Sequence, residues 1–119
     1  MKCAVIGASD KPHRYSYQAV MLLQKYGHEV FPVHQNIKTI DGIKVFGSIN
    51  DVRDEIDTVT LYVGKAISDL IMDDIIKKNP KRIIFNPGAE NADLESSANK
   101  NNIETINACT LVMLKTGQF

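Results

Sequence analysis

The stretch that decides how this chain folds is CAVIGASDKPHRYS, residues 3–16. Its first four residues are apolar, which is typical of a strand buried on both faces, and the run ends at Gly7, where the backbone can turn sharply. A polar loop follows, and in residues 16–26 apolar side chains recur at the three- and four-residue spacing of a helix face. The order of strand, glycine turn and helix start predicts an anion site, because the first N–H groups of a helix lack partners and its dipole attracts negative charge.

Apolar strands and amphipathic helices alternate along the rest of the chain. Most of the strands are apolar throughout, which favours a parallel sheet covered on two faces. We therefore predict a doubly wound α/β fold in one domain, residues 1–119, with a mostly parallel five-stranded sheet and helices on both faces. The predicted strands are residues 3–6, 28–33, 58–63, 82–85 and 103–106, and the predicted helices are residues 16–26, 48–54, 67–78, 91–100 and 111–115.

Two finer expectations concern the middle of the chain. The apolar run at residues 43–46 is predicted to be an exposed edge strand, which could pair with a second copy of the chain. The helix at residues 67–78 is predicted to carry the i,i+4 pairs Asp73–Lys77 and Asp74–Lys78 on its polar face. Its apolar face consists of Ile67, Leu70, Ile71, Ile75 and Ile76.

The composition argues against several function classes. Fourteen basic and fourteen acidic side chains balance to a net charge of zero, whereas a nucleic-acid or membrane-surface binder carries a basic excess. No apolar run is long enough to cross a bilayer, and residues 1–2 lead into a strand without a signal-peptide layout, so we expect a cytoplasmic protein. Cys3 and Cys109 match neither a metal-site spacing nor a secreted disulfide framework, and both are predicted to be free thiols.

The carboxyl ends of parallel strands meet at one edge of a sheet, and ligands bind at that edge in such folds. Lys11 and Arg14, with the hydroxyls of Ser9 and Ser16, lie in or beside the loop after the first strand, and this group of cations and hydroxyls favours a phosphate. The strand-end residues expected at the same edge are Gly7, Val33, His34, Tyr62, Val63, Asn86, Pro87, Gly88 and Cys109.

Several of these residues fit a second interpretation. Lys11 and Arg14 could simply be solvated side chains of a surface loop. Tyr62 could pack against the sheet without touching a ligand, and Cys109 could be an unreactive thiol. An NAD site usually has an Asp or Glu at the end of the second strand, whereas residues 33–36 of this chain are VHQN. The alternative function is an NAD(P)-dependent oxidoreductase, although no combination of nucleophile, base and orienting group identifies catalytic residues.

Several blocks of this sequence, in the same order, resemble the small stand-alone coenzyme A-binding proteins of bacteria and archaea. The chain is similar, more distantly, to the N-terminal domain of the succinyl-CoA synthetase α subunit, and the likeness covers essentially its whole length. The blocks are VIGAS at 5–9 with RYS at 14–16, GHEV at 27–30 with PV at 32–33, TVTLYV at 58–63, KRIIFNPG at 81–88, and ACTLV at 108–112 with TGQF at 116–119.

The resemblance implies a Rossmann-like domain that binds coenzyme A. From this we predict a non-catalytic binding, carrier or sensor module for coenzyme A or an acyl-CoA, either monomeric or weakly dimeric. Val33 and His34 would lie beside the adenine and ribose, and Cys109 would be the thiol nearest the reactive end, where a mixed disulfide with the cofactor could form. The phosphates would lie against Gly7, Ala8, Ser9, Lys11, Arg14 and Ser16. The pantetheine arm would pass along Tyr62, Val63, Asn86, Pro87 and Gly88.

Overall fold

The computed structural model describes residues 1–119 as alternating strands and helices. The predicted α/β fold is confirmed, and the five main strands begin and end within two residues of their predicted bounds. None of the helices has both the length and the hydrophobicity needed to cross a membrane. In chain order the elements are β1 (Lys2–Ile6), α1 (Tyr15–Lys25), β2 (Glu29–Val33), β3 (Thr39–Ile40), β4 (Ile43–Lys44), a 3-10 turn (Ile49–Asp51), β5 (Thr58–Leu61), α2 (Lys65–Lys78), β6 (Arg82–Phe85), α3 (Ala92–Lys100), β7 (Glu104–Asn107) and α4 (Thr110–Lys115).

The main sheet consists of five parallel strands in the spatial order β2-β1-β5-β6-β7. The chain passes from β1 outward to β2 and then returns past β1 to β5, so the strand order reverses between β1 and β5. At such a switch point the loops after two neighbouring strands leave toward opposite faces and open a crevice. In this protein the crevice lies between the loops that begin at Gly7 and Tyr62.

Each face of the sheet has its own hydrophobic core. Ala4 and Ile6 of β1 belong to the larger core, which α2 and α3 cover, whereas Cys3 and Val5 belong to the smaller core under α1 and α4. Successive side chains of a strand point to opposite faces, so a strand covered on both sides is apolar at every position. This explains why the buried part of β1 is an uninterrupted apolar run.

The outer edge of β2 is covered from within the chain, which corrects the prediction of an exposed strand at residues 43–46. Only Ile43 and Lys44 are extended, and they pair with β3 in a short antiparallel hairpin. Phe46 then bridges to Val33: its N–H donates to the Pro32 carbonyl at 2.8 Å, and its carbonyl accepts from the His34 N–H at 2.9 Å. The predicted helix at 48–54 is reduced to the 3-10 turn, where the Ser48 hydroxyl accepts from the Asn50 N–H at 3.1 Å.

Helix α2 does not bury the whole of its apolar face. Ile75 is fully buried, and Ile71 and Ile76 pack against the core, but Ile67 is 52% exposed and Leu70 is 83% exposed. The predicted apolar face therefore packs against the core only in part, because the first turns of α2 face a cavity rather than the sheet.

The polar face of α2 also differs from the prediction. Neither predicted acid–lysine pair forms, and the ion pair on this helix joins Lys65 to Asp69 at 2.9 Å. Lys78 instead donates to the Val52 carbonyl, which ties the last turn of α2 to the segment after the 3-10 turn.

We expect Gly7→Ala to destabilise the protein more than Gly42→Ala does. Both glycines have a positive φ, of +86° and +81°, so an alanine at either position costs about 1–2 kcal/mol in backbone strain. A Cβ on Gly7 would lie 2.7 Å from Val63 Cγ1, whereas a Cβ on Gly42 meets nothing within 4 Å. Urea titrations of the two variants should show a further loss of about 1–3 kcal/mol for Gly7→Ala. Equal losses would show that Val63 moves aside freely.

The buried Cys3 thiol makes stability depend on alkaline pH. Burial raises its pKa from 9.0 to about 11, so the unfolded chain loses this proton before the folded protein does. The stability that comes from keeping this thiol neutral and buried is complete below pH 9 and disappears as the pH rises toward 11. We expect the free energy of unfolding to fall across this interval, and to fall less steeply in Cys3→Ala, when both proteins are titrated with urea at successive pH values. Parallel declines would contradict the assignment.

Candidate functional site

Two neighbouring cavities lie at the carboxyl ends of the sheet strands. The first, here called the loop cavity, has a volume of about 570 Å³ and lies between the β1–α1 loop and Tyr62. The second, the apolar cavity, has a volume of about 450 Å³ and lies between the end of β2 and the first turns of α2. Gly7 and His34 border both. Among the predicted site residues, Gly7, Ala8, Ser9, Lys11, Arg14, Ser16, His34 and Tyr62 line the loop cavity, and Val33 and Val63 line the apolar cavity.

The start of α1 leaves hydrogen-bond donors free at the loop cavity. No side chain caps this helix and no acidic residue lies in its first turn. The N–H groups of Tyr15, Ser16 and Tyr17 find no backbone acceptor, since the first helical hydrogen bond runs from Gln18 to the Arg14 carbonyl. Unpaired N–H groups and the positive end of the helix dipole favour an anion at this position.

The side chains of the loop add positive charge. Neither Lys11 nor Arg14 forms an ion pair within the protein, and both are exposed. Asp10, which the sequence analysis did not consider, also lines the loop cavity. Two cations and one carboxylate leave the wall with a formal charge of one positive unit, which still attracts a phosphate.

The amides of Gly7 and Ala8 have a structural role. Both N–H groups donate to the Val33 carbonyl, at 3.1 and 3.2 Å. These bonds close the turn after β1 onto the end of β2, so the two amides are not donors for a ligand. The free donors of the loop cavity belong to α1 and to the side chains of the loop.

His34 organises the loop after β2. Its Nδ1 accepts from the N–H groups of Asn36 and Ile37, at 3.0 and 3.3 Å. A ring nitrogen that accepts carries no proton, so the neutral imidazole has its hydrogen on Nε2. At the border of the two cavities His34 therefore offers a donor, where the sequence analysis expected a contact with adenosine.

Tyr62 contributes a buried phenol to the wall of the loop cavity. Its hydroxyl is enclosed and has no hydrogen-bond partner. Burial raises the pKa of Tyr62 to about 12, an effect that the nearby Thr110 and Thr60 hydroxyls partly offset. The phenol is therefore protonated at neutral pH, and its hydroxyl lies beneath the cavity wall rather than facing the cavity.

The structure does not bring Asn86, Pro87, Gly88 and Cys109 to the walls of either cavity. The buried Asn86 amide donates to Thr60 Oγ1 at 2.7 Å and to the Leu61 carbonyl at 3.0 Å, and its Oδ1 accepts from the Thr110 N–H at 2.8 Å. Asn86 therefore positions the start of α4 against β5 instead of facing a ligand. Pro87 and Gly88 are exposed, and Cys109 is the partly buried residue that precedes α4.

Sequence reasoning missed most of the apolar cavity. Its wall combines residues of β1, of the 3-10 turn and of α2 with a polar rim. Helical periodicity marks Ile67 and Leu70 as apolar, but the same period describes a core face and a cavity wall. The apolar residues are Ile6, Val33, Ile49, Val63, Ile67, Leu70 and Ile71, and the polar ones include His34, Gln35, Asn36, Ser48 and Asp74.

Solved structures of other proteins share this architecture over nearly the whole length of the chain. The crystal structure of an uncharacterized protein is 38% identical, with a TM-score of 0.89, and the match covers 99% of this chain and 97% of that one. A hypothetical protein from Pyrococcus horikoshii is 26% identical with a TM-score of 0.90, and the match covers 96% of this chain and 81% of the other.

Curated relatives match part of the chain, and the match spans between 12% and 45% of their own length. The α subunit of the ADP-forming acetate–CoA ligase II of Pyrococcus furiosus is 28% identical over 83 residues, which are 69% of this chain and 18% of that subunit. The protein YneT of Bacillus subtilis is 33% identical over 61 residues, which are 51% of this chain and 45% of YneT. The family model of the CoA binding domain matches residues 1–115. The chain therefore belongs to the CoA-binding domain family.

Proposed function

We propose that this protein binds coenzyme A or an acyl-CoA across the two cavities, as a non-catalytic binding, carrier or sensor module. The observation that carries the proposal is the uncapped start of α1 beside the unpaired cations Lys11 and Arg14, in a chain of the CoA-binding domain family. Coenzyme A combines phosphates, a purine nucleoside and an extended thiol arm. Each of these parts has a chemical counterpart along the crevice.

The phosphates fit the loop cavity. Charge-assisted hydrogen bonds to phosphate are shorter and stronger than neutral ones, and Arg14 and Lys11 can both supply them. The N–H groups of Tyr15 and Ser16 add donors without any rearrangement of α1. The proposal also assigns Ser9 and Ser16 to this contact and gives Gly7 and Ala8 the task of shaping the turn.

The adenosine fits the apolar cavity, next to Val33 and His34 as the sequence resemblance implies. A purine is flat and largely apolar on its faces, and the exposed Ile67 and Leu70 offer it a hydrophobic wall. Asn36 and Asp74 at the polar rim can accept hydrogen bonds from the exocyclic amine or from the free 2′-hydroxyl of the ribose.

The thiol arm is assigned to the side of the loop cavity formed by Tyr62. The half-buried Tyr62 ring offers the arm an apolar surface, while its hydroxyl stays enclosed beside Thr60 and Thr110. Asn86 would act here only indirectly, by holding the start of α4 and therefore Cys109 in place.

A nicotinamide dinucleotide is the second candidate ligand, and one observation favours it. Although residues 33–36 carry no acid, Asp74 of α2 lines the apolar cavity and places a carboxylate in a position to bind ribose hydroxyls. Thermal unfolding in the presence of each ligand separates the two candidates.

We expect coenzyme A to raise the thermal unfolding midpoint of the reduced protein, with acetyl-CoA, ADP, NAD and NADP measured in parallel. A ligand at one hundred times its dissociation constant adds about 2.7 kcal/mol, which for a domain of this size is a rise of roughly 10 °C. A shift with coenzyme A or acetyl-CoA, and none with NAD or NADP, is the expected result. A shift produced by a nicotinamide dinucleotide alone would overturn the proposal in favour of the second candidate.

Replacing Arg14 by Ala should weaken coenzyme A binding by about 10- to 100-fold, which corresponds to a loss of roughly 1.5–3 kcal/mol for a charged hydrogen bond. Arg53→Ala is the matched control, because Arg53 is equally a solvent-exposed cation but lines neither cavity. Isothermal titration of both variants measures the difference. Unchanged affinity in Arg14→Ala would remove Arg14 from the site, and an equal loss in both variants would indicate a general charge effect.

A further inference from the structure

The two edges of the main sheet differ in how they are protected. At the β2 edge, Phe46 takes up the backbone groups of Pro32 and His34, and Pro32 has no N–H of its own. At the other edge, β7 pairs only with β6, and no other segment of the chain pairs with its outer side. An uncovered strand edge presents free N–H and C=O groups that can pair with another chain.

The direction of the free groups follows from the bonds that β7 makes. The Glu104 N–H donates to the carbonyl of Lys81, the residue before β6. The Ala108 N–H donates to the carbonyl of Phe85 in β6, and both distances are 3.1 Å. Backbone groups alternate in direction along a strand, so the N–H and C=O groups of Thr105 and Asn107 face outward. The edge therefore exposes two donors and two acceptors, two residues apart.

We propose that two copies of this chain associate through β7, as antiparallel strands related by a two-fold axis at Ile106. In this register Thr105 of one copy pairs with Asn107 of the other, and the two pairs form four backbone hydrogen bonds. Ile106 meets its own counterpart on the axis, at a position where the facing strands approach most closely. A two-fold interface of this kind uses one patch on both copies and leaves no further edge open.

The side chains of the strand are compatible with this register. Ile106 is 42% exposed and lies beside Ile84 in the sheet register, on the face that α4 covers, and Val112 of α4 is 56% exposed. The only charged residue of β7 is Glu104, and it falls opposite Ala108 of the other copy, so no like charges face each other. The four-residue strand contains no proline that would remove an outward N–H.

The association leaves the ligand crevices independent. When the two β7 strands pair antiparallel, the carboxyl ends of the two sheets point in opposite directions. The two loop cavities then lie at opposite ends of the joined sheet. The inference therefore goes beyond the proposed function and does not depend on it. A variant that separates the copies should keep its response to coenzyme A.

The first test is the molar mass of the reduced protein, measured by light scattering from low micromolar concentration up to about 1 mM, since a short interface is expected to dissociate on dilution. Ile106→Lys places like charges on the axis and should raise the dimer dissociation constant by roughly tenfold or more. Tyr26→Lys is the control, because Tyr26 is comparably exposed, at 47%, and lies at the end of α1. A monomer at every concentration, or a dimer that Ile106→Lys leaves intact, would overturn the proposal.

A second test reads the register directly. In a Cys109→Ser background, Ile106→Cys should form a disulfide with its own counterpart on mild oxidation, because the two Cβ atoms face each other across the axis. Thr105→Cys in the same background should not, since Thr105 lies opposite Asn107 of the other copy. Non-reducing electrophoresis separates the outcomes, and cross-linking of Thr105→Cys without Ile106→Cys would contradict the register.

Discussion

The turn after β1 is the constraint on which the rest of this structure depends. The amides of Gly7 and Ala8 both bind the Val33 carbonyl, so the end of β1 is joined to the end of β2. A Cβ on Gly7 would lie 2.7 Å from Val63 Cγ1, so the turn packs directly against the residues that follow β5. Three adjacent strands of the sheet, β2, β1 and β5, thus meet at this turn, and the crevice is the space above it.

The sequence predicts the layered fold because the strands are buried on both faces. A strand such as β6, with Ile83, Ile84 and Phe85 all buried, has no polar side to obscure its pattern. Pro32 lies on β2, the outermost strand, at a position where a missing N–H does no harm. These features follow from local chemistry, and for that reason the sequence shows them.

The features that could not be predicted depend on how separate elements meet. Leu70 has the spacing of a core residue, and only the position of α2 relative to the 3-10 turn exposes it. Phe46 belongs to an apolar run that resembles a strand, yet its bonds go to Pro32 and His34 across the chain rather than along a continuous ladder. Asp10 and Asp74 look like surface acids, and tertiary structure alone places them at cavity walls.

A buried polar cluster at the carboxyl edge of the sheet fixes the start of α4. Asn86 uses both ends of its amide to join β5 to the first residue of α4, and Thr60 and Thr110 share a further hydrogen bond at 2.7 Å. These bonds tie the start of α4, and with it Cys109, to the end of β5. The position of the Cys109 sulfur relative to the sheet is therefore established by folding alone and needs no bound molecule.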